Sequence, residues 1–106
     1  ATPVDKAAIA ANRNPFVEHL DFDRIRLPVV ARARRDGDRF IPLGQRSEKK
    51  LGKFLTAARV PGTMRIRTFV IEDAERIFWA CPIRISEHVK VTEKTSIILD
   101  LRIMEV

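Results

Sequence analysis

The chain has 106 residues, 45% hydrophobic and 32% charged, with a net charge of +6; that describes one soluble folded domain with a single core, not a disordered tail. No apolar run approaches the ~20 residues needed to span a bilayer and no signal-peptide pattern opens the chain, so no membrane partner is expected. Cys81 is the sole cysteine, which excludes an internal disulfide and fits a reducing, cytoplasmic compartment.

The chain begins at Ala1 without an initiator Met, so a piece of something longer is expected. The segment ATPVDKAAIAANRN reads as a short helix, with Thr2 as cap, Pro3 at the first helical position and Asp5 completing a capping box. Asn14-Pro15 breaks it. In LPVVARARR, from Leu27, Val29, Ala31 and Ala33 share one face of a strand and Arg32 and Arg34 the other, exposed one. The turn signal DGD then predicts a hairpin, with a second strand at Arg39 to Ile41 pairing back.

A helix is expected from about Ser47 to Ala58, capped by Ser47. Leu51, Phe54, Leu55 and Ala58 form its buried stripe, while Lys49 and Lys53 point away with Arg46 and Lys50 flanking them. Val60-Pro61-Gly62 ends it. Beyond, Ile66 to Ile71 and Arg76 to Ala80 read as a hairpin around the polar loop Glu72 to Glu75. Ile83 to Ile85, His88 to Val91 and Thr95 to Ile103 are further strand candidates. The expected fold is α+β: a small layered domain of mostly antiparallel strands packed with one basic helix.

Catalytic signals are scarce. Cys81 follows an apolar strand with no histidine near it in sequence and reads as a buried, inert thiol. His19 and His88 lack metal-ligand spacing, no phosphate-binding glycine loop is present, and the acids around Asp73 read as solvated. The chain by itself is therefore expected to be no enzyme, with no metal site and no cofactor of its own.

The charge distribution says more. Between Arg32 and Arg67 lie eleven cations against three anions, whereas the rest of the chain carries nine cations and eleven anions. Lys49 and Lys53, four apart on the expected helix, repel by about a few tenths of a kcal/mol. Phosphates along that face would reverse the sign, and Arg32 and Arg34 would extend it. The alternative, long stems covering apolar edges on a merely basic domain, stays open on charge alone.

The ordered series RARRDGDRFIPLGQRSEKKLGKFL, RVP with Arg65 following, IFWACPIRI, VKVTEKT and LDL, preceded by DFDRIRLP, resembles the C-terminal domain of bacterial tRNA(Ile)-lysidine synthetases. The likeness runs from about Leu20 to Leu101 and implies residues 1–19 as an N-terminal helix or linker and 20–106 as the domain. It implies a layered fold shared with a domain of the phenylalanyl-tRNA synthetase β subunit. It further implies a tRNA-binding accessory role, mainly at the acceptor stem, in an enzyme that attaches lysine to the wobble cytidine of an isoleucine tRNA. ATP, Mg and the chemistry would belong to an N-terminal PP-loop domain, itself a partner of this one.

Arg39, Lys49, Lys50, Lys53, Arg65 and Arg84 match basic family positions, and with Arg32, Arg34 and Arg46 from the charge reading they make the expected tRNA-binding set. Gly37, Pro42, Gly44 and Pro61 match turn positions; Phe54 and Trp79 match core positions. The chain departs from the family pattern at Pro82, where glycine is usual, and in Gln45 to Glu48, which lacks a glycine often found before KKL. A competing reading is a basic interaction module that docks an acidic protein or the catalytic domain.

Overall fold

A computed structural model describes Thr2, Pro3, Asn12 and residues 14–104. In chain order its strands are β1 (Thr2–Pro3), β2 (Val17–Asp21), β3 (Val30–Ala33), β4 (Arg39–Phe40), β5 (Lys49–Lys50), β6 (Phe69–Glu72), β7 (Ile77–Cys81), β8 (Arg84–Ile85) and β9 (Ile97–Arg102). The helices are α1 (Leu51–Ala57) and α2 (Gly62–Arg67), with 3-10 turns at Phe22–Arg24 and Glu87–Val89.

The all-apolar run Ile77-Phe78-Trp79-Ala80-Cys81 becomes β7, and every residue of it is buried. Such a strand needs cover on both faces of its sheet. The sheet runs β3-β6-β7-β8, antiparallel throughout. On one face Ile71, Trp79 and Cys81 pack with Leu20, Ile25 and Val89, and with Leu99, Leu101 and Ile103. That cover is the second sheet, β1-β9-β2, with the 3-10 turns. On the other face Val70, Ile77 and Ala80 pack with Phe40, Leu51, Phe54 and Leu55, contributed by the β4-β5 ribbon and α1. A register shift pairs Ile71 with Trp79 but Glu72 with Ile77. The skipped Phe78 therefore joins Trp79 in the same cluster, as a bulge allows. The layered α+β fold with antiparallel strands is as the sequence implied.

Several elements differ from the reading by periodicity. Thr2–Pro3, expected to start a helix, is a strand on β9, pairing with Ile98 and Ile97; Pro3 lacks an N–H, which suits an edge. The rest of that helix lies outside the described residues. β3 does not pair with β4: it pairs with β6, Val30 opposite Glu72 and Ala33 opposite Phe69, while β4 pairs with β5. The expected helix start is consumed by that ribbon. Lys49 and Lys50 are extended opposite Phe40 and Arg39, the Leu51 N–H donates to the Asp38 carbonyl at 2.8 Å, and helix begins only at Leu51. Ser47 is thus no cap, and Ala58 is an exposed C-cap rather than part of the stripe. Ile66 and Arg67, read as strand, belong to α2. His88 and Val89, also read as strand, lie in a 3-10 turn whose His88 N–H donates to Ser86 Oγ at 3.1 Å. Pro82 follows Cys81 through a cis peptide, and Ile83 N–H closes that turn on the Ala80 carbonyl at 2.7 Å.

Asp73, expected in solvent, is buried. Its carboxylate accepts the backbone N–H of Arg26, Glu75 and Arg76 at 2.9, 2.8 and 2.9 Å, which ties the β6–β7 loop to the segment entering β3. Burial works to raise its pKa, but these N–H groups outweigh it and hold the carboxyl below the usual range. Its stabilisation is therefore present above the unfolded pKa of about 3.9 and is lost as pH falls through the lower folded value. Asp73→Asn should lower stability at neutral pH by about 1–3 kcal/mol. Thermal melts between neutral and acid pH should show a shallower loss on acidification in that variant than in the parent chain.

Candidate nucleic-acid interface

The site begins at the turn after β3. Gly37 takes φ 87°, a left-handed conformation glycine adopts without steric cost. The Asp38 N–H then closes on the Arg35 carbonyl at 3.1 Å, and the Asp38 carboxylate accepts the Arg35 N–H at 2.7 Å. The same carboxylate receives Arg32 Nη2 at 2.9 Å and Nη1 at 3.1 Å, while Arg32 Nε donates to Glu72 at 3.1 Å. Arg32 is thus not on an open face: its side chain is 15% exposed and Asp38's is 9%. Asp38 and Glu72 raise the Arg32 pKa, fixing its charge. The exposed strand face expected for Arg32 is thus corrected: in this structure its guanidinium is engaged by Asp38 and Glu72.

Beside this turn, α1 and α2 close a cleft of about 450 Å³. Arg34 and Arg35 come from the β3 end, Lys50 from β5, Lys53 from α1 and Arg65 from α2; Asp36, Gly37, Asp38, Gly52 and Thr56 complete the lining. Arg65 holds the wall together. It donates to Thr56 Oγ1 at 3.0 Å and to the Gly52 carbonyl at 3.4 Å, and its own carbonyl accepts Arg34 Nη1 at 3.4 Å. Glycine inside a helix costs roughly 1 kcal/mol against alanine. At Gly52 the Arg34 Nη2 lies 3.7 Å from where a Cβ would stand, an ordinary contact distance, so a small side chain would fit there. Arg34 Nε is buried without a hydrogen-bond partner in the structure.

Of the nine expected contact residues, Arg34, Lys50, Lys53 and Arg65 meet here. Lys49, next to Lys50 on a two-residue strand, is exposed but does not line the cleft. Arg39 lies 3.8 Å from Glu48, an exposed pair. Arg46 lines a second cleft of about 430 Å³ with Arg24, Glu87, His88 and Lys90. Arg84 places its guanidinium 5.2 Å from the centre of the Phe54 ring, a cation–π contact on the core edge. Arg35 was counted in the sequence only as charge; its position directly before DGD was the signal that the turn would present it. Thr56 and Gly52 carried no comparable signal beyond the glycine inside a helical pattern.

Cys81 is fully buried, and burial, with the nearby Glu18 charge, pushes its thiol up to about 12. Among the described residues no group of three or more His, Cys, Asp or Glu side chains is placed to hold a metal ion. What the cleft offers chemically is five cationic side chains drawn from four elements, with Asp36 facing them and Asp38 already engaged by Arg32.

A family model described as the TilS substrate C-terminal domain matches residues 29–101. The chain is 35% identical over 88 residues to a tRNA(Ile)-lysidine synthase of Caldanaerobacter subterraneus subsp. tengcongensis, covering 83% of this chain and 19% of that protein. It is 34% identical over 91 residues to a tRNA(Ile)-lysidine synthase of Clostridium tetani, covering 86% and 20%. The chain thus spans about a fifth of the length of these curated relatives. Among solved structures, a TilS C-terminal domain superposes with a TM-score of 0.64 at 28% identity, covering 89% of this chain and 75% of the other. An N-terminal fragment of the phenylalanyl-tRNA synthetase β subunit from Pyrococcus horikoshii superposes with a TM-score of 0.67 at 26% identity, over 77% of this chain and 26% of that one.

Replacing Asp38 tests the turn that forms one wall of the cleft. Asp38→Ala leaves Arg32 with Glu72 and the Ala33 carbonyl and frees the Arg35 N–H, at an expected cost of about 1–3 kcal/mol. Chemical denaturation should show that loss at neutral pH. Burial raises the Asp38 carboxyl, but Arg32 and the Arg35 N–H outweigh it and lower the pKa overall. The difference between the two proteins should therefore shrink as pH falls through the lowered folded value.

Proposed function

The chain belongs to the TilS substrate C-terminal domain family, and on that premise we propose that it is the tRNA-holding accessory domain of a tRNA(Ile)-lysidine synthase. The cleft of Arg34, Arg35, Lys50, Lys53 and Arg65 carries the reading. Cations gathered in one concave place repel one another, and phosphate oxygens are the partner that turns this into attraction. Two of the five are rigid: Arg34 and Arg65 are locked against each other and against α1. The others, Arg35, Lys50 and Lys53, are exposed and free to follow a backbone.

In the same proposal the acceptor stem of the tRNA is the part held. The contacts recognise shape and phosphate rather than base sequence, as expected for a base-paired stem. Lysine attachment to the wobble cytidine, with its ATP and Mg, belongs to a catalytic domain elsewhere in a parent protein, in the cytoplasm. The relatives' printed name, tRNA(Ile)-lysidine synthase, supports this assignment. The domain's part is to bind and orient; it moves no proton and breaks no bond.

The test is binding of tRNA by the chain at several salt concentrations, followed by fluorescence anisotropy. Affinity should fall linearly in log–log form with salt. Arg35, Lys50 and Lys53 bury little, so the triple change to Glu should fold normally, reduce affinity by about a hundredfold or more and flatten the salt slope by about three. Lys49→Glu should cost less than Lys50→Glu, because Lys49 lies outside the cleft. A folded triple variant that binds tRNA as the parent does would overturn the proposal.

A further inference from the structure

β3 is an edge of the four-stranded sheet, paired with β6 on one side alone. Beyond that ladder its backbone makes one hydrogen bond among the described residues, accepted by the Ala33 carbonyl from Arg32 Nη1 at 3.0 Å. The other outward N–H and C=O groups are a template for a further strand. Folds ordinarily blunt such an edge with a free charge, a proline within the strand, a bulge or a covering loop. β3 carries none of these. Its one charged side chain, Arg32, is drawn to Asp38 and Glu72, while Val30, Ala31 and Ala33 stand exposed. Leu27, just ahead of the strand, is 67% exposed. A single exposed apolar residue is ordinary; a row of them along an unguarded ladder is not.

The charges around the edge select what fits it. From Arg24 to Arg35 the sequence carries five arginines and no acid. A second copy of β3 would set the same arginines against these, and like charges facing each other across strands destabilise the pair. A nucleic acid cannot complete a β ladder. An extended polypeptide with acidic residues among small apolar ones gains both the ladder and the ion pairs. The chain spans about a fifth of the curated relatives it matches, so most of each relative lies outside the matched domain.

We propose that the β3 edge is a strand-docking site, on which an extended acidic segment from the rest of a longer parent protein pairs and turns β3 into an inner strand. The source of that segment rests on the synthase reading above. The site does not, because none of residues 24–33 lines the cationic cleft. The docked segment fixes the domain to the remainder of the protein and leaves the cleft open.

The experiment follows hydrogen exchange across residues 27–34 by mass spectrometry, in the chain alone and in the full-length protein of its own gene. In the full-length protein that segment should exchange about tenfold more slowly or slower still. Val30→Asp and Arg26→Glu, each made in the full-length protein, should restore fast exchange by setting an acid against the acidic segment. Both side chains are exposed, so both variants should melt near the parent; if Val30→Asp does not, Arg26→Glu decides. Neither change should alter tRNA affinity of the isolated chain. Equal exchange in the two settings overturns the proposal, as does slowing that survives both substitutions. Slowing that appears only when tRNA is added overturns it too, since RNA would then be what covers the edge. A chain that shows the slowing but binds no tRNA leaves the docking site standing and removes the functional reading instead.

Discussion

Everything in this fold follows from one strand that has no polar side. β7 is buried along its whole length, so its sheet needs a covering layer on each face. The chain supplies them from different parts of itself. Residues on either side of the middle, through β2, β9 and the 3-10 turns, cover the Trp79 face. The middle, from β4 through α1, covers the Ala80 face. The charge surplus lies in that same middle segment. What reads along the chain as a basic third is, in space, the end of β3 together with the layer of β4, β5 and α1 on one side of the sheet, and α2.

The expected contact cations and their neighbours divide by what they already hold. Arg32 is committed to Asp38 and Glu72 and anchors the turn to the sheet. Arg84 lies over Phe54 and serves the core edge. Arg34 and Arg65 are half committed, since they brace β3, α1 and α2 while lining the cleft. Arg35, Lys50 and Lys53 have no such duty. Removing a cation of the first kind damages the fold; removing one of the last kind changes only what the fold attracts.

Much of this was legible beforehand, for definite reasons. The buried stripe Leu51, Phe54, Leu55 follows from helical spacing, and the β6–β7 hairpin from two apolar runs around a polar loop. The motif series identified the family because its pieces occur in order, each fixing a turn or a core position. What escaped is what depends on partners distant in sequence. DGD does make a turn, but only β6 decides what β3 pairs with. KK before LGKFL looks like a first helical turn until β4 offers it a ladder. Asp73 and Arg32 looked solvated because their partners, Arg26 and Glu72, lie 47 and 40 residues away. Four expected site residues gathered in the cleft; Arg39, although opposite Lys50 in that unforeseen ribbon, lies by Glu48 instead, and Arg46 lines a different cleft.

The sole tryptophan occupies the middle of β7, fully buried, on the sheet face opposite the basic layer. Its indole is shielded from water and separated from the cleft by the thickness of the sheet. Intrinsic emission from this chain is therefore a reporter of core integrity alone. It shifts when the layers come apart and stays silent when the cationic side is loaded, so folding and occupancy can be followed as separate optical channels in one sample, the second with a label carried by the nucleic acid.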